Sequence, residues 1–122
     1  MIYCIDTSSL LTGWNDRYPP EIFPQLWEHF KGLIETDKLI APEEVYFELE
    51  KQDDSIKSWV DKNSKMFQPL DDEVQTIVSE ILTKHPTLID FNRTSNQADP
   101  FVIALALQRN GIVVTEEKWT NS

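Results

Sequence analysis

Residues 101–107, Phe-Val-Ile-Ala-Leu-Ala-Leu, form an unbroken apolar run directly after Asp99-Pro100, and that run limits the folds open to the chain. An Asp caps a helix because its carboxylate accepts free amides of the first turn, and Pro suits the next position, where no N–H is needed. The pair predicts a helix beginning at Asp99. Taken alone, Asp99 reads as a plain cap. A helix with no polar face must be covered on every side, so it belongs inside the domain. Asn110-Gly111 ends it, with Gly111 expected as the left-handed residue of the C-terminal cap. Ile112-Val113-Val114 follows with the composition of a strand buried on both faces. That strand delivers Thr115-Glu116-Glu117 at its carboxyl end, and ligands of open α/β sheets bind at the carboxyl ends of strands.

The rest of the chain alternates in the same way. Ile2-Tyr3-Cys4-Ile5 reads as a buried first strand closed by Asp6, with Thr7-Ser8-Ser9 as a turn and residues 13–20 as a loop. Ile22, Phe23, Leu26, Trp27, Phe30, Leu33 and Ile34 recur at helical spacing, with Pro20 or Pro24 in the first turn. Residues 39–41 form a second strand, and Pro42 opens a helix running to Glu50. A turn at residues 52–55 leads to a short helix with Ile56, Trp59 and Val60 inward. Residues 66–69 make a third strand at the sheet edge, because Pro69 cannot donate to a ladder. Asp71 starts a helix carrying Val74, Ile77, Val78, Ile81 and Leu82, stopped by His85-Pro86, and residues 87–97 are an exposed loop. Alternating strands and helices predict a three-layer α/β/α fold with a central parallel sheet. Right-handed crossovers place the second strand on one side of the first and Ile112-Val113-Val114 on the other.

At 122 residues the chain makes one domain, and 40% hydrophobic residues suffice for a core. No apolar run approaches the length that spans a bilayer, and the N-terminus lacks the basic and apolar regions of a signal peptide. Cys4 is the single cysteine, which rules out an internal disulfide and a cysteine zinc cage and reads as a core residue. The expected compartment is the cytoplasm. The net charge of −10 has the wrong sign for gripping nucleic acid by general electrostatics. It suits carboxylates that gather hard divalent cations, or a basic partner.

P-loop, dinucleotide-binding, nucleophile-elbow and zinc-protease motifs are all absent from the sequence. His29 has no second ligand at metal spacing and reads as a surface side chain. What remains are acids at strand ends and helix starts: Asp6, Glu48, Asp99 and Glu117. Glu44 shares a helix face with Glu48, where like charges repel unless a cation lies near. Carboxylates meeting in one cleft raise each other's pKa, and an oxygen-ligated Mg²⁺ or Mn²⁺ removes that cost.

Ile5-Asp6-Thr7-Ser8-Ser9-Leu10, the helix ending Glu48-Leu49, Ala98-Asp99-Pro100 with Ile103-Ala104, and Val113-Val114-Thr115-Glu116-Glu117 together resemble the PIN-domain family across nearly the whole chain. The resemblance implies a Mg²⁺- or Mn²⁺-dependent endoribonuclease of the kind that serves as the toxin of VapC-type toxin–antitoxin pairs, with RNA as substrate and an antitoxin protein as partner. It implies that Asp6, Glu48 and Asp99 hold metal, that Glu117 completes the acidic pocket, and that Ser8 and Thr115 orient carboxylates. Glu44 and Glu116 are the substitutes. Glu117 is preferred to Glu116 by the T-x-D/E spacing. The family pattern continues past Ser122 through another helix and strand, so the expectation is a C-terminally shortened domain, residues 1–122, lacking the last strand. Ile112-Val113-Val114 is then an edge, and exposed apolar edges invite pairing, here as a homodimer. Two other readings compete. One is a catalytically silent PIN-like module that binds a protein partner. The other is a phosphatase using Asp6 as nucleophile, which has Ser8 where a second Asp is commonly needed.

Overall fold

Short β-branched and apolar runs pair in parallel around the first of them. The computed structural model describes residues 1–52, 55–84 and 99–115, with the backbone alone at Asp99. Strand β1 (Tyr3–Ile5) is central, flanked by β2 (Leu39–Pro42) and β4 (Ile112–Val114), with β3 (Phe67–Gln68) outside β2. All the pairings are parallel, with Tyr3 opposite both Leu39 and Ile112, and Ala41 opposite Phe67. This is the expected three-layer α/β/α architecture and strand order.

The helices are α1 (Thr7–Thr12), α2 (Pro24–Glu35), α3 (Glu43–Gln52), α4 (Lys57–Lys62), α5 (Asp72–Lys84) and α6 (Asp99–Arg109). Helix α6 crosses β1, β2 and β4 and packs along α5. Helix α2 lies on the other face, where His29 and Phe30 meet Tyr3, Ile5, Leu39 and Val114 across a groove of about 380 Å³. Trp27 of α2 and Trp59 of α4 meet edge-on at 5.0 Å, with Trp14 against both. The Trp27 indole N–H also donates to the Tyr18 carbonyl at 2.7 Å, which satisfies its one polar atom. Trp14 stands in a π-helical turn, Gly13–Arg17, that prolongs α1 where a loop was expected.

Other boundaries also move. Thr7-Ser8-Ser9 is the first turn of α1, because Asp6 supplies a cap that the low helix propensity of Ser and Thr concealed. Helix α2 starts at Pro24, leaving Ile22 and Phe23 exposed ahead of it. The left-handed residue closing α6 is Asn110 (φ 54°), not Gly111. Gly111 N–H donates to the Ala106 carbonyl at 2.8 Å and Asn110 N–H to that of Leu107, so Gly111 is the residue beyond the left-handed one. Gly111 is needed instead for close approach: a Cβ there would lie 2.9 Å from the Ile2 carbonyl oxygen. Asp37 (φ 60°) closes α2 in the same manner, with Lys38 N–H donating to the Leu33 carbonyl.

Helix α6 is buried through Val102, Ala104, Leu105 and Ala106, but Leu107 is exposed. Nor is β4 buried on both faces: Ile112 is 44% and Val113 38% exposed. A β-branched composition marks residues that fit a pleated, half-buried surface, whereas full burial depends on what lies beside the strand. Among the described residues β4 is an edge paired only with β1. Cys4 is wholly buried, and burial pushes its thiol up to about 11. Among the described residues no helix is long and apolar enough to cross a membrane. The expected helix stop at His85-Pro86 and the loop at 87–97 lie outside the described residues.

Candidate functional site

The carboxyl ends of β1, β2 and β4 bring α1 and α3 together. Asp6 leaves β1 with its N–H donating to the Val114 carbonyl of β4 at 3.2 Å. Its carboxylate turns back over α1, where Oδ1 accepts the Ser9 N–H at 2.9 Å and the Ser8 hydroxyl at 3.2 Å. Asp6 is 4% exposed, a depth at which a carboxylate needs such donors. The Ser9 hydroxyl donates to the same Val114 carbonyl at 3.2 Å. The Ser8 hydroxyl thus bonds the carboxylate that the family resemblance assigns it to orient.

Helix α3 follows β2 without a loop, and its 3.6-residue period sets Glu44 and Glu48 on one face. Glu48 Oε1 accepts the hydroxyl of Thr7 at 2.7 Å, so the second acid is tied to the residue beside the first. The Oε2 atoms of Glu44 and Glu48 are both buried, and that of Glu44 has no hydrogen-bond partner among the described residues. Burial, with a smaller push from Glu43 and against a backbone hydrogen bond, holds the Glu44 carboxyl above its ordinary range. A half-buried face of oxygen donors with an unsatisfied acceptor fits a hard divalent cation better than a soft one.

Helix α6 runs antiparallel to the strand it feeds, so its N-terminus at Asp99 stands at the same end of the sheet as Asp6. The Asp99 side chain, Glu116 and Glu117 lie outside the described residues. Among the described residues no three acids, His or Cys form a metal-binding group. The structure thus links Asp6 with Glu48 through Thr7 and keeps Glu44 on the Glu48 face. Thr115 is exposed just past β4, and His29 is exposed on α2.

Thr7 is the residue that sequence reasoning passed over. Its signal was available only once α1 is recognised as a helix: Thr7 then shares a face with Leu10, and a buried hydroxyl must find a partner. A family model described as a domain of unknown function, DUF4411, matches residues 3–122. No curated protein and no solved structure matches the chain.

Proposed function

The chain belongs to the DUF4411 family, and we propose that it is a PIN-like, Mg²⁺- or Mn²⁺-dependent endoribonuclease that hydrolyses RNA phosphodiester bonds, working in the cytoplasm as the toxin of a toxin–antitoxin pair. The observation that carries the reading is the Asp6–Thr7–Glu48 connection at the carboxyl end of a parallel sheet, with the start of α6 at that same end. Asp6, Glu48, Asp99 and Glu117 would hold the cation. When bound, it supplies an activated water and offsets charge developing on the phosphoryl oxygens. The chain's own contribution is placement. Ser8 bonds the Asp6 carboxylate, Thr115 would serve Glu117 in the same way, and Glu44 shares the helix face of Glu48 as a further oxygen donor.

The reading is tested with single-stranded RNA and millimolar Mn²⁺. Cutting is expected, and EDTA or Asp6→Asn should stop it. Cutting that survives both treatments, or a protein that neither binds Mn²⁺ nor cuts, counts against a nuclease.

A second reading, a catalytically silent module that binds a protein partner, draws on the exposed apolar residues of β4 beside the α2 groove. The charge of −10 favours a basic partner, and symmetric pairing of two β4 edges would give a homodimer. No cutting, combined with tight capture of a basic partner segment, would favour it.

A further inference from the structure

We propose that Thr7 is a positioning residue of the site, fixing the Glu48 carboxylate for cation binding; this rests on the nuclease reading above. Thr7 occupies the first position of α1, immediately after the capping Asp6. Inside a helix, a Thr hydroxyl commonly bonds back to the carbonyl three or four residues earlier. At this first position those carbonyls belong to β1 and its approach, so the hydroxyl is available for a distant partner. It takes Glu48, 41 residues away, at 2.7 Å. That distance is the usual one for a hydroxyl donating to an oxygen.

Thr7 is 4% exposed, and its β-branched side chain has few rotamers open to it. The donor is therefore stationary. Holding Oε1 stops rotation of the Glu48 carboxylate plane and sets where its second oxygen lies, on the end of the sheet that carries Asp6. A long acidic side chain otherwise surrenders considerable rotamer freedom on binding a cation, and Thr7 has it ordered in advance. Outer partners of this kind typically change metal affinity by about ten- to a hundredfold when removed.

The experiment uses the full chain and Mn²⁺ alone, by titration calorimetry, with melting in EDTA measured in parallel. Thr7→Val keeps the shape and removes the donor; Thr7→Ser keeps the donor. Thr7→Val is expected to weaken Mn²⁺ about ten- to a hundredfold, with Thr7→Ser within about twofold of wild type and little change in the EDTA melt. Should Thr7→Val not fold, Thr7→Ala serves in its place. In a Glu48→Ala background, where no acceptor remains for its hydroxyl, the Thr7 substitution should add nothing, because its effect passes through that side chain. Undiminished Mn²⁺ affinity in Thr7→Val, whether or not the fold is weakened, overturns the proposal and leaves the nuclease reading standing. An equal further loss in the Glu48→Ala background also overturns it. A wild type that binds no Mn²⁺ overturns the nuclease reading, and the role of Thr7 falls with it.

Discussion

Asp6 caps α1, the nuclease reading gives it a second duty as a metal ligand, and a pair of substitutions divides the two. In Asp6→Ala the Ser9 N–H loses its acceptor at 2.9 Å and the Ser8 hydroxyl its acceptor at 3.2 Å. Loss of a helix cap costs about 1 kcal/mol, and a buried donor left unsatisfied costs about 1–3 kcal/mol. The two overlap, because the orphaned amide is the capped one, so the total is about 2–3 kcal/mol. At about 2.1 cal/mol/K of unfolding entropy per residue, a chain of 122 residues should lose about 8–12 °C in melting temperature. Asp6→Asn keeps an oxygen facing Ser9, and Asn caps as well as Asp, so in EDTA it should melt within about 2 °C of wild type. Mn²⁺ at a hundredfold over its dissociation constant stabilises a binding protein by about 2.7 kcal/mol, about 10 °C here. Wild type should show that gain and Asp6→Asn should not. Differential scanning calorimetry with and without metal reads all the values. If Asp6→Asn melts as low as Asp6→Ala in EDTA, the cap is not what the carboxylate contributes. If it keeps the Mn²⁺ gain, Asp6 is not a ligand.

Other perturbations test the frame around the site. Gly111→Ala puts a methyl 2.9 Å from the Ile2 carbonyl, which also accepts the Ile112 N–H; it should cost about 1–3 kcal/mol, read as a lower urea midpoint at unchanged slope. Acid should act in two opposed windows. The raised Glu44 carboxyl binds its proton sooner folded than unfolded, so stability rises as pH falls from its folded value towards the unfolded value of about 4.3. Asp71 is lowered, first by the Val74 N–H and then by Gln108; its contribution is complete above its unfolded pKa of about 3.9 and disappears as pH falls through the folded value. Urea midpoints from pH 7 to 3 should therefore rise before falling, and Glu44→Gln should remove the rise; a monotonic wild-type profile would refute the assignment. Light scattering should find a dimer at high micromolar concentration that Val113→Lys converts to monomer, and a strictly monomeric wild type would count against β4 pairing.

The elements that local chemistry specifies were readable in advance. Asp99-Pro100 and the apolar run announce α6, and the alternation of strand and helix fixes the order of β2, β1 and β4 once handedness is applied. The errors fall where neighbours decide. Asn110 takes the left-handed turn because the chain needs Gly111 one residue later, against the Ile2 carbonyl, a contact between segments far apart in sequence. The exposure of Ile112 and Val113 is a property of the sheet, not of the residues themselves. In the site, Asp6 and its Ser8 contact are local and were legible. The Thr7–Glu48 bond joins residues 41 apart, and only the packing of α1 on α3 brings them together.

The position of Asp6 is set from the far end of the sheet. The closing turn of α6 brings Gly111 against Ile2, and the Ile112 N–H bonds the Ile2 carbonyl at 2.8 Å. That contact fixes the register in which Val114 stands opposite Ile5. The Val114 carbonyl then accepts both the Asp6 N–H and the Ser9 hydroxyl, so it anchors the cap residue and the turn it caps at one point. A slip of one residue would exchange the two faces of β4 and move that carbonyl away from Asp6. Because β4 has a partner on one side only among the described residues, the register rests on β1 and on the fit of Gly111. The carboxylate that begins the site is thus held by the same short ladder that ends the chain's most apolar helix, which is why a helix without a polar face and an acid at the end of another strand belong to one construction.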